Sequence, residues 1–107
     1  MRHISASELA GRLADAATPA PLLLDVREPW EFAICHIAGA MPMPMASVPA
    51  RAGELDPEGE IVVVCHHGMR SAQVCMFLER QGFEHVLNLA GGVAAWAAEV
   101  DPAMPQY

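Results

Sequence analysis

A β-branched run, Ile61-Val62-Val63-Val64, ends in Cys65 and passes through His66-His67-Gly68-Met69 to Arg70 and Ser71. A thiol at the carboxyl end of a buried strand, facing successive backbone N–H groups and the start of a helix, sits where the thiolate is electrostatically favoured. Cys65 is therefore a candidate nucleophile. Gly68 supplies the backbone freedom that a tight, inward-facing ring of amides needs. Arg70 adds a permanent charge, which favours both the thiolate and a bound anion, and its planar fork can bridge loop carbonyls and Asp25. The plainer reading is a structural cysteine in an ordinary βα turn. Gly68, Arg70 and Ser71 following so closely favour the nucleophile.

Loop length separates two chemistries. The four residues His66 to Met69 stand between Cys65 and Arg70, one fewer than in the signature of cysteine-dependent phosphatases, so the cradle is smaller. Phosphoryl transfer needs donors around three oxygens and usually a general acid for the leaving alkoxide. Sulfur transfer needs neither, because a thiolate attacks the outer sulfur of a donor such as thiosulfate and sulfite leaves unprotonated. The short loop favours sulfur, with a phosphatase or arsenate reductase as the enzymatic alternative.

The chain resembles the single-domain rhodaneses, a family of sulfurtransferases. The residues that carry the resemblance are Leu24-Asp25-Val26-Arg27-Glu28 with Glu31 and Phe32, then His36-Ile37-Ala38-Gly39-Ala40, then Cys65 to Ser71, and finally Asn88-Leu89-Ala90-Gly91-Gly92-Val93 with Trp96. They follow one another in the family's order and spacing over nearly the whole chain. One departure is Cys35, where the family commonly has glycine. The resemblance implies a rhodanese-like open parallel sheet of about five strands with helices on both faces. It also implies ping-pong transfer: Cys65 takes a sulfane sulfur from a small anionic donor as a persulfide, the loop from His66 to Ser71 binds the anion, and cyanide or a thiol removes the sulfur. No dissociable cofactor is implied. A sulfur carrier or sensor module serving a partner protein, with a protein as sulfur acceptor, is the alternative outside catalysis.

Several other residues have both a chemical and a plainer reading. Asp25 closes an apolar strand and, as a buried carboxylate, should be paired, giving it a supporting structural role. Arg27 and Glu28 read as a surface or inter-element ion pair. His66 and His67 could ligate metal with Cys65, but adjacent residues of an inward-facing loop send their side chains outward, and more ligands are needed than this cluster supplies; no metal is expected. Their partial charge can still assist an anion. Met41, Met43 and Met45 have the composition of a soft copper site but read better as filler of irregular core gaps. Cys75 reads as an inert buried thiol. Gly91-Gly92 suits a tight turn or a close approach to the active loop, and the sequence does not separate these.

With 107 residues, 53% of them hydrophobic, the chain can bury a core in one domain spanning residues 1–107 and is not disordered. Six arginines, no lysine and a formal charge of −7 argue against nucleic acid or an anionic membrane as partner. Attraction of an anionic donor then falls to the local loop. The first residues show no apolar leader, and three cysteines make no disulfide framework, so a cytoplasmic location is expected.

The positioning elements alternate. Ser5 and Glu8 make a capping box for a helix that buries Leu9 and Leu13 and breaks between Thr18 and Pro21. Leu22–Val26 is a strand, and Pro29 starts a short helix, Trp30–Ile34. The prolines in Met41–Met45 mark an edge strand or extended loop, and Ser47–Leu55 is a weak helix. After strand Ile61–Val64, Ser71 caps a helix that Gly82 stops. Strand Val86–Leu89, helix Val93–Glu99 and an irregular tail over 100–107 follow. Apolar runs without alternation belong to parallel strands covered on both faces, which makes the class α/β.

Overall fold

Every strand the sequence marks as an apolar run joins one parallel sheet in the computed structural model, which describes residues 1–107. The elements are β1 (Arg2–Ile4), α1 (Ala6–Ala14), β2 (Leu22–Asp25), α2 (Pro29–Ile34), β3 (Met41–Pro42), α3 (Val48–Arg51), β4 (Ile61–Val64), α4 (Met69–Arg80), β5 (Val86–Leu89) and α5 (Gly92–Glu99). The sheet order is β1-β5-β4-β2-β3, with Leu24 opposite Val63 and Val63 opposite Asn88 across the centre. The central strand β4 is buried at all four residues, which is why its sequence shows no polar alternation.

Period-two geometry divides the core into two layers. Leu23, Val62, Val64, Leu87 and Leu89 face α1 and α5, packing with Leu9, Val93 and Trp96. Leu24, Val26, Ile61, Val63, Cys65 and Val86 face α3 and α4, packing with Val48, Val74, Cys75 and Leu78. Helices on both faces are thus the direct product of strands apolar on both faces. Met43 is fully buried in the second layer, the filler role its flexible side chain suits. Cys75 is also fully buried there, and burial pushes its thiol up to about 12.

The Ser5–Glu8 capping box forms in both directions. Other boundaries differ from expectation for physical reasons. β1 had no sequence signal: only Ile4 of its three residues is buried, and the strand exists because it pairs with β5. The weak helix over 47–55 is a short α-helical turn between two 3₁₀ turns, Met45–Ser47 and Ala52–Glu54. Ser71 does not cap α4. The cap falls three residues earlier, at Gly68 in a left-handed conformation (φ 100°), so that α4 starts at Met69 and Ser71 lies inside the first turn with its hydroxyl free for the site. Gly82 does stop α4, at φ 95°.

Candidate active site

The sulfur of Cys65 lies just beyond the end of β4, with the residue only 1% exposed. Gly68 N–H donates to Sγ at 3.0 Å, and Ser71 Oγ lies 3.3 Å away. The left-handed Gly68 makes this possible, since it turns the chain into α4 while leaving its own amide pointed back at the sulfur. Cys65, His66, His67, Met69 and Arg70 line a cavity of about 280 Å³ above it. All of the loop residues singled out in the sequence are therefore brought around one thiol.

The loop is held from behind by the start of α5. Val93 N–H donates to Cys65 O at 2.9 Å and Ala94 N–H to His66 O at 3.1 Å. This draws the loop carbonyls away from the cavity and satisfies two of the otherwise unpaired amides of the helix start. Both readings of Gly91-Gly92 apply: the two residues turn at φ 76° and 60°, and a Cβ on Gly92 would collide with the carbonyl oxygens of Cys65 and His66. Gly92→Ala is therefore expected to lower stability by about 1–3 kcal/mol, the usual cost of forcing extra atoms into a packed site, and to slow Cys65 chemistry through the displaced loop. Urea unfolding and the alkylation rate of Cys65 measure the two effects, and no change in either would remove the close approach from the account.

A polar network joins the loop through Arg70. Asp25 and Arg27 make an ion pair with both side chains fully buried, Nη2 to Oδ2 2.7 Å and Nε to Oδ1 2.9 Å. Arg27 also donates to Cys35 O at 2.7 Å and to the Tyr107 hydroxyl at 2.9 Å. This corrects the reading of Arg27 and Glu28 as a surface pair: Glu28 is exposed at the N-cap of α2, and Arg27 turns inward because the strand-end carboxylate and the Cys35 carbonyl offer it buried acceptors. Burial opposes the Arg27 charge, but the hydrogen bonds to Asp25 and Tyr107 outweigh it and raise the pKa. Arg70 likewise does not reach Asp25. Its guanidinium grips Glu31 of α2 with two bonds, 2.7 and 2.9 Å.

Glu31 is the hub that sequence reading missed as a site residue. Besides Arg70 it accepts Glu28 N–H at 3.0 Å and the Tyr107 hydroxyl at 2.7 Å. The Arg70 bonds outweigh the cost of burial and hold its carboxyl down at about 2, so it is ionised at any ordinary pH. Tyr107 joins the two ion pairs by accepting from Arg27 and donating to Glu31. Its ring stacks on His66 at 4.1 Å, and His66 stacks on His67 at 4.0 Å. Burial, then the neighbouring His67, lower the His66 pKa, which favours the uncharged ring. Both arginines of the site are thus matched by carboxylates, leaving the backbone at the start of α4 as the unmatched positive end. Glu31 had a weak signal, its place in the first turn of a short helix; Tyr107, in a segment with no regular structure, had none. No group of three or more His, Cys, Asp or Glu side chains is placed to hold a metal ion, and no helix is long and apolar enough to cross a membrane.

Fold and site together define a parallel α/β sheet that presents a thiol at the carboxyl end of its central strand, against a helix start, the usual place for an anion in such folds. Residues 5–99 match the Rhodanese-like domain family, and the chain belongs to it. It is 41% identical over 97 residues to a sulfurtransferase of Allochromatium vinosum, covering 91% of this chain and 89% of that one. It is 37% identical to the putative sulfur carrier protein YrkF of Bacillus subtilis over 74% of its own length, which is 43% of that relative. The crystal structure of a rhodanese-like domain protein from Staphylococcus aureus superposes with a TM-score of 0.85 at 31% identity, covering 94% of this chain and 95% of that one. The expected fold class is therefore observed, and sulfur transfer or carriage is what the two named relatives have in common.

Proposed function

We propose that this chain is a sulfurtransferase that moves a sulfane sulfur from thiosulfate, or a related anionic donor, to cyanide or a thiol through a persulfide on Cys65. The observation that carries the reading is the convergence of Gly68 N–H and Ser71 Oγ on the Cys65 sulfur at the floor of a small cavity. In the first half-reaction the thiolate attacks the outer sulfur of thiosulfate. The new S–S bond forms as the old one breaks, and sulfite leaves with the electron pair and without a proton. The product is Cys65–S–S⁻, its charge facing Gly68 N–H and the start of α4. In the second half-reaction cyanide or a thiolate attacks the outer sulfur, leaves as thiocyanate or a new persulfide, and regenerates the Cys65 thiolate.

The same network disfavours phosphoryl chemistry. The two buried carboxylates of the network, Asp25 and Glu31, are each gripped by an arginine, so neither is free to protonate an alkoxide. The likeness to a putative sulfur carrier supports one second reading, in which the same persulfide is handed to a protein thiol. A reducing compartment such as the cytoplasm suits either, since all three cysteines are free. The test is a paired assay of the purified protein: thiocyanate formation from thiosulfate and cyanide, and aryl phosphate hydrolysis. The expected result is Cys65-dependent thiocyanate formation with negligible phosphatase activity. Cys65-dependent phosphate hydrolysis without thiocyanate would overturn the sulfur reading.

A further inference from the structure

Asn88 is a polar residue in an otherwise apolar strand, 3% exposed, on the face of β5 that packs against α4. Its hydrogen bonds fix its orientation. Gly68 O carries only lone pairs, so the Asn88 atom 3.1 Å from it must be the amide nitrogen. Oδ1 is thereby turned to Ser71, whose hydroxyl donates to it. The second amide hydrogen is directed at His3 Nδ1, 3.4 Å away. Ser71 has a single hydroxyl hydrogen, and with that hydrogen on Asn88 it can offer Cys65 only a lone pair. The two residues that touch the Cys65 sulfur, Gly68 through its N–H and Ser71 through its hydroxyl, are therefore both bonded to this one side chain, Gly68 through its carbonyl, which also accepts Ala72 N–H at 3.3 Å.

We propose that Asn88 is a positioning residue of the sulfur site: it aims the Gly68 N–H at Cys65 by anchoring the carbonyl of the same residue, and it sets Ser71 as an acceptor toward the sulfur. The proposal rests on the sulfur-transfer reading for its role, though not for its geometry. A resting thiol can donate its S–H to Ser71. An anionic sulfur has the Gly68 N–H and gains a second donor only when Ser71 releases Asn88 and turns its hydrogen inward. Asn88 thus competes with the sulfur for one hydrogen, and the Ser71 hydroxyl is the part that moves. Asn88 itself does not touch the donor or acceptor, so its effect should fall on turnover rather than on donor binding.

The experiment is a double-mutant cycle of Asn88→Ala and Ser71→Ala in the full chain, with folding verified by thermal melts, and with Asn88→Leu, close in shape and unable to hydrogen-bond, replacing the alanine variant if that does not fold. Two rates are read: iodoacetamide alkylation localised to the Cys65 peptide at fixed pH, and thiosulfate turnover. Asn88→Ala frees the Ser71 hydrogen to settle on the anionic sulfur and damp its nucleophilicity, and it loosens Gly68, so kcat is expected to fall about tenfold, on the scale of a buried hydrogen bond, with KM changed less than about twofold. The Asn88 effect should shrink by roughly threefold or more when Ser71 is already alanine. Equal Asn88 effects with and without the Ser71 hydroxyl, in both rates, would overturn the proposal. Alkylation requires no sulfur donor, so a coupled alkylation rate without thiosulfate turnover in the wild-type protein would leave Asn88 standing and remove the sulfur-transfer reading instead.

Discussion

Cys65→Ser is expected to reduce thiosulfate-dependent thiocyanate formation to the uncatalysed level, a loss of at least ~10³-fold on the scale seen when a covalent nucleophile is removed. The hydroxyl is nearly isosteric and can keep both contacts of the sulfur, the Gly68 N–H at 3.0 Å and Ser71 Oγ at 3.3 Å. Stability should therefore change by no more than about 1 kcal/mol, the net worth of a hydrogen bond. An oxygen cannot carry the transferred sulfur, so the two readouts separate chemistry from folding. Cys35→Ser and Cys75→Ser are expected to retain turnover, since neither sulfur contacts the loop; the Cys35 sulfur is directed to Arg27 at 3.8 Å and Cys75 lies inside the second core layer. Substantial turnover in purified Cys65→Ser would contradict the assignment of the nucleophile.

The largest loss of stability should come from Arg27→Met. Removing one partner of a fully buried ion pair leaves the other charge uncompensated and costs about 3–5 kcal/mol. Asp25 would retain the Arg27 backbone N–H at 3.1 Å but lose the guanidinium, while Cys35 O and the Tyr107 hydroxyl lose a donor. At roughly 4 °C per kcal/mol for a domain near this size, the melting temperature should fall by about 12–20 °C. Replacing both partners with apolar residues, Asp25→Leu with Arg27→Met, should recover much of the loss, because a well-packed apolar pair avoids the desolvation cost altogether. Denaturant unfolding of the single and double variants measures this. A single-variant loss below about 1 kcal/mol would mean that water reaches the pair and that it does not hold the network together.

The loop around Cys65 was legible because its signal is local. The apolar run of β4, the glycine that must turn the chain and the residues through Ser71 are contiguous, and the physics that positions them acts over a few bonds. The sheet class was legible for a similar reason, since strands buried on both faces cannot hide their composition. What failed to show was whatever depends on distant partners. Arg27 reads as a surface charge until the fold brings the Cys35 carbonyl to it. Arg70 meets Glu31, 39 positions away, and Tyr107 reaches Glu31 across 76. β1 has too few buried residues to announce itself and is ordered only by β5. Ser71 looked like a helix cap because serine commonly is one; the left-handed Gly68 took that position and released the hydroxyl for the sulfur and Asn88. Asn88 did carry a usable signal, a polar residue where burial demands partners.

The most direct test of the central claim is an intact-mass measurement of the reduced protein after brief exposure to thiosulfate and removal of the excess, followed by peptide mapping. The expected result is the gain of one sulfur atom, located on the Cys65 peptide, lost again on addition of cyanide with thiocyanate released in equal amount, and absent from Cys65→Ser. No mass gain on Cys65, or a sulfur carried on Cys35 or Cys75 instead, would contradict the account.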